Sequence, residues 1–187
     1  MRDKAISEFL KDLGSRTSTP GGGAVAGLNG AIAAAQLKMV AEFSKDEIFL
    51  EIRNTLAKKI EVFLELAEAD IDVFQTVIDA YKSKDGDKIQ QSLKAAARPS
   101  EETLDACDEL LKICENNLDD FSRKLSADLI VTVANIKAAA RSAAAMLWIN
   151  AKSMQDGQPK NDIQDKIDFS KNLLARADRL FLKIEGL

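Results

Sequence analysis

From Ile6 to Ile184 the apolar residues recur at helical three-and-four spacing, and no segment sustains the two-residue alternation of a half-buried strand. The chain is therefore expected to be all-α. A first short helix sets Ile6, Phe9, Leu10 and Leu13 on one face and stops at Gly14. A second runs from about Ala24 to Phe43, and a third from about Glu47 to Tyr81 carries Phe63, Ala67, Phe74, Val77 and Tyr81 on one face. The polar run Lys82 to Asp87 breaks it, and a short helix from about Lys88 to Ala97 is expected to end before Pro99. Ser100 then reads as the N-cap of a helix that buries Leu104, Cys107, Leu111 and Cys114. An Ala-rich helix from about Ser126 to Met154, a turn at Gly157-Gln158-Pro159 and a last helix complete the pattern. No linker, repeat or low-complexity run divides the chain, so residues 1–187 are read as one multihelical bundle.

The glycines are unevenly placed. Six of the nine lie between Gly14 and Gly30, three of them in succession at Gly21-Gly22-Gly23. Gly27, Gly30, Ala31, Ala34 and Ala35 give the second helix a small side that allows another helix to approach closely, within the chain or in a dimer. No Gly-Lys-Ser or Gly-Lys-Thr follows, so this is not an NTPase phosphate loop; a helix rather than a strand precedes it, so it is not a dinucleotide turn. Free N–H groups at the helix start, with the Ser18 and Thr19 hydroxyls, make a site for a carboxylate or other anion. The alternative is a plain glycine turn packed on a neighbouring subunit.

The absence of histidine excludes Ser-His and Cys-His catalysis and the usual Cys/His zinc sites, leaving Asp, Glu, Lys, Tyr or Cys as acid or base. Cys107 and Cys114, seven residues apart on one helix, are read as core residues out of disulfide reach. Asp70 shares the apolar stripe of Phe63, Ala67 and Phe74, where burial raises a carboxyl pKa and a nearby cation lowers it again. Such a group serves as a general base or holds a cation, or else bonds a neighbouring helix. Asp128 shares one broad face with Thr132, Ala139, Ala143 and Asn150, with Asn135 near the edge. That polar line suits a groove for a flat ligand, or a close helix crossing.

A net charge of −4, a pI near 5.1 and 5% aromatic residues argue against nucleic acid as a partner. The uncharged stretch Thr17 to Leu37 is too rich in Gly, Ser, Thr and Ala for a membrane span, and the start resembles no signal peptide, so a cytoplasmic protein is expected.

Together these residues resemble the cyclodeaminase/cyclohydrolase family of folate one-carbon metabolism. The resemblance rests on Phe9-Leu10, Thr19-Pro20-Gly21-Gly22-Gly23, Leu66-Ala67-Glu68-Ala69-Asp70 with Phe74 and Ala80-Tyr81, Ala95-Ala96-Ala97 before Pro99, Ser126-Ala127-Asp128 and Ile149-Asn150. It implies a homodimer that acts on a tetrahydrofolate derivative as substrate, with no metal or further cofactor. The implied activity is hydrolysis of 5,10-methenyltetrahydrofolate or cyclodeamination of formiminotetrahydrofolate, the first being favoured. It assigns catalysis to Asp70 and Asp128, folate contact to Thr19, Pro20, Gly21, Gly22 and Gly23, and substrate orientation to Asn150. The chain departs from the family pattern at Phe43 to Ile48, at Ser100 after Pro99, and at Met146, where an Asn is usual. The alternative reading is a catalytically inactive helical homodimer that binds folate or another small anion.

Overall fold

In a computed structural model, residues 4–44, 47 and 49–186 are described. Lys45, Asp46 and Ile48, in the first departure from the family pattern, lie outside the described residues. Among the described residues there are six α-helices: α1 (Ile6–Leu13), α2 (Gly22–Phe43), α3 (Phe49–Ser83), α4 (Gly86–Asn116), α5 (Ser126–Ser153) and α6 (Gln158–Glu185). A single 3-10 turn, Arg123–Leu125, leads into α5, and there is no strand among the described residues.

The bundle is built around α2, which packs on α3 and α5, while α4 lies against α3 and α5 and α6 closes on α5 and α4. One apolar cluster drawn from α2 to α6 fills the centre, with Leu37, Phe49, Phe63, Leu104, Leu111, Ile136 and Leu147 fully enclosed. Helix α2 and the segment Arg123–Ser153 are each long and apolar enough to cross a membrane by length and composition alone. Their apolar character has another use here, since α2 buries half its length in the bundle and α5 is flanked by three helices.

Close approach of α2 to α3 follows from the glycines. Gly23, Gly27 and Gly30 fall at i, i+4 and i+7, on one side of α2. A Cβ on Gly27 would stand 2.7 Å from the Phe63 carbonyl oxygen, and one on Gly30 would stand 2.2 Å from the Phe63 ring. Backbone and ring thus occupy the volume that side chains would need.

Two readings of the chain are corrected. Residues 86–116 form one helix rather than two, with Pro99 inside it. Proline removes the bond to the carbonyl four residues earlier, but that carbonyl belongs to exposed Ala95, where water can replace it. Pro99 and Ser100 are both buried in the bundle, so Ser100 caps nothing; the N-cap is Asp85, whose carboxylate accepts from the Asp87 and Lys88 N–H groups at 3.1 and 3.2 Å. The second concerns the apolar face of α3, which is not buried along its whole length: Phe63 and Ala67 are core and Val77 packs against it, but Phe74 is 39% exposed and Tyr81 is 48% exposed. Beyond Ala67 the stripe turns from core to wall. The cysteines are unpaired and fully buried as expected, and desolvation pushes the Cys114 thiol up to about 12.

Gly27→Ala is expected to lower stability by about 1–3 kcal/mol in urea unfolding, because overpacking against the α3 backbone outweighs the ~1 kcal/mol gain in helix propensity.

Candidate active site

The glycine loop, α3 and the end of α5 converge on one pocket. Asp70 lies on α3 one turn beyond Ala67, where α3 passes the first turn of α2. A Cβ on Gly23 would stand 1.9 Å from Asp70 Oδ1, so the absence of a side chain is what lets the carboxylate rest on the helix start. There the Ala24 N–H donates to it. The N–H groups of this first turn have no partner within the helix, which makes it the natural end for a negative charge.

Asp70 forms part of the lining of a cavity of about 230 Å³, with Ser18, Thr19, Gly21 and Gly22 from the loop and first turn. Its remaining walls are Val73, Phe74 and Val77 of α3, Ala96 of α4, and Met146, Ile149 and Asn150 of α5. A Cβ on Gly22 would come within 2.9 Å of Met146 Sδ, so the thioether lies directly on the helix start. The cavity is mainly apolar, with polar groups at Asp70, Ser18, Thr19 and Asn150. An apolar lining with a few polar groups is the kind of surface that takes a flat ligand with a polar edge. Thr19 also lines an adjoining cavity of about 240 Å³ with Pro20, Phe9 and Ile71, beneath α1. A larger concavity of about 630 Å³ between α4 and α6 is lined by charges that pair with one another, Arg98 with Glu102 and Lys166 with Asp105.

The structure therefore brings together Thr19, Gly21, Gly22, Asp70 and Asn150, places Gly23 behind the Asp70 carboxylate, and sets Pro20 in the neighbouring cavity. It does not bring Asp128 to them. Asp128 stands in the first turn of α5, accepting from Gln36 Nε2 at 2.9 Å, and Asn150 stands in the last. The two lie about 33 Å apart at 1.5 Å per residue. Sequence reasoning missed Val73 and Ala96, and read Phe74 and Val77 only as members of the apolar α3 face; their spacing from Asp70 on that face is the signal that could have found them as lining. Among the described residues, no group of three or more His, Cys, Asp or Glu side chains is disposed to hold a metal.

Burial is the main influence on Asp70 and raises its pKa above the ordinary carboxylate value, while the Ala24 N–H acts in the opposite direction. The folded chain thus holds this proton more tightly than the unfolded chain. Stability is lost as the pH rises from the unfolded to the folded pKa, and the full cost is present above the latter. Asp70→Asn keeps an oxygen for the Ala24 N–H and removes the charge. It is expected to raise Tm at about pH 8 and to leave it unchanged below about pH 3, as measured by thermal unfolding.

Residues 5–169 match the formiminotransferase-cyclodeaminase family. A methenyltetrahydrofolate cyclohydrolase of Methylorubrum extorquens is 27% identical over 95% of this chain and 92% of its own length. The fold is that of a formiminotetrahydrofolate cyclodeaminase from Thermotoga maritima, with a TM-score of 0.87, 24% identity, and 99% and 98% of the two chains covered.

Proposed function

The chain belongs to the formiminotransferase-cyclodeaminase family, and on that premise we propose that it is a folate one-carbon enzyme acting through the Asp70 pocket. The favoured reaction is hydrolysis of 5,10-methenyltetrahydrofolate. The observation that carries this reading is a single carboxylate, raised in pKa by burial, at the polar end of an otherwise apolar pocket beside the start of α2.

The methenyl bridge is a delocalised cation spread over two nitrogens and the carbon between them. Water adds to that carbon, and Asp70 accepts the proton released as the C–O bond forms. The proton of the resulting hydroxyl then passes to the departing nitrogen as the C–N bond breaks, leaving a formyl group. No oxidation state changes, so the chemistry calls for no redox cofactor. Asp70 also places negative charge beside the cation before attack, while Phe74, Met146 and Ile149 keep bulk water from the ring. Ser18, Thr19 and Asn150 supply the hydrogen bonds that orient it. Cyclodeamination uses the same groups: the folate nitrogen attacks a formimino carbon, the C–N bond to the amino group breaks, and ammonia leaves once protonated. The reading takes the chain as a homodimer.

Purified protein is expected to accelerate the loss of 5,10-methenyltetrahydrofolate absorbance in the near ultraviolet, and Asp70→Asn to lower that rate by at least ~10²-fold. An unaltered rate in the variant removes Asp70 from the chemistry. Absence of turnover, with ammonia released from formiminotetrahydrofolate instead, transfers the assignment to the cyclodeaminase.

A further inference from the structure

Among the described residues, Met146 is the one methionine that lines the Asp70 pocket. Met39 packs against the central apolar cluster and Met154 belongs to it, 6% exposed, whereas Met146 is half-buried and stands outside that cluster. Its sulfur has a particular seat. A Cβ on Gly22 would stand 2.9 Å from Met146 Sδ and 3.7 Å from its methyl carbon, so the thioether takes the space over the first turn of α2 that a side chain on residue 22 would need.

That turn holds donors without acceptors. No side chain caps α2 at Gly21, and the first N–H groups of a helix have no partner within it. The Ala24 N–H goes to Asp70. Those of Gly22 and Gly23 are left to whatever stands over the helix start, and the atom seated there is a thioether sulfur, a weak acceptor. The helix dipole adds positive potential at the same end.

A single oxygen atom turns that sulfur into a strong acceptor. Hydrogen peroxide transfers one oxygen to a methionine sulfur: the sulfur lone pair forms the S–O bond, the O–O bond breaks, sulfur loses two electrons, the peroxide gains them and water leaves. At Met146 the new oxygen arises beside the free donors of α2, which attract its negative end. It also adds an atom and a dipole to the α5 wall of a cavity of only about 230 Å³. The thiols do not intercept the oxidant. Cys107 and Cys114 are fully buried, and desolvation pushes both thiols up, Cys114 to about 12, so neither offers a thiolate.

We propose that Met146 is an oxidation site of this protein: a peroxide converts it to the sulfoxide, whose oxygen caps α2 and closes the Asp70 pocket to its ligand until the sulfoxide is reduced. The effect on turnover rests on the folate-enzyme reading; the oxidation and the cap do not.

Brief treatment of the purified protein with hydrogen peroxide, followed by peptide mass spectrometry, is expected to find one added oxygen at Met146 before Met39 or Met154. Hydrogen exchange of the Gly22 and Gly23 amides, read by NMR, is expected to slow in the oxidised protein and to return to its first rate after methionine sulfoxide reductase and a dithiol are added. Turnover of 5,10-methenyltetrahydrofolate is expected to fall about tenfold or more, the order that one added group is worth in an apolar pocket, and to recover on the same reduction. Met146→Leu offers no sulfur at similar volume, and whatever its own untreated rate, that rate is expected to survive the peroxide. Oxidation of Met39 or Met154 ahead of Met146, or unchanged exchange at Gly22 and Gly23, overturns the proposal. So does undiminished turnover with Met146 oxidised, or equal peroxide sensitivity in Met146→Leu. If untreated wild type turns over neither folate, the enzyme reading fails, and the mapping and the exchange alone decide the site.

Discussion

The contact between α2 and α3 at Gly23, Gly27 and Gly30 fixes the rest of the molecule. Facing these positions in antiparallel order are Asp70, Ala67 and Phe63, so one glycine row meets a carboxylate, a small residue and a buried ring in turn. At Gly30 and Gly27 the consequence is packing, since Phe63 enters the core and the two backbones come together. At Gly23 the consequence is chemistry. The same close approach lays Asp70 on the first turn of α2, within reach of the Ala24 N–H. A side chain at that position would displace the carboxylate.

The placement of Asp70 is a balance of opposed effects. Burial beside Val73, Phe74 and Val77 disfavours its charge, while the Ala24 N–H and the start of α2 favour it, and burial prevails. Above its folded pKa the chain therefore holds an anion that costs stability and attracts cationic ligands. Met146 places a thioether in the α5 wall, which therefore offers apolar surface more than hydrogen bonds. Asn150 is the polar group that α5 retains at this pocket.

Much of this was legible because helices repeat at 3.6 residues and glycine is rare elsewhere in the chain. The bundle, the small side of α2 and the anomaly of Asp70 on an apolar stripe all follow from spacing. Other features were not legible for definable reasons. Pro99 reads as a helix end, since sequence does not reveal that Ala95 faces water and Ser100 faces the core. Phe74 and Tyr81 continue the apolar stripe of α3 by angle, yet both are exposed, and the stripe changes from core to wall along its length. Asp128 and Asn150 show the complementary problem: angle about the axis places them on one face and conceals the distance along it.

The claim that most of this depends on is that the Asp70 carboxylate is the group that takes the proton. The measurement that tests it is the acid limb of kcat/KM for 5,10-methenyltetrahydrofolate, with the uncatalysed decay subtracted, from about pH 4 to about pH 8. The expected profile rises with pH through an apparent pKa above the ordinary carboxylate value, and the limb disappears in Asp70→Asn. A limb at the ordinary value, or one that persists unchanged in the variant, would contradict the assignment.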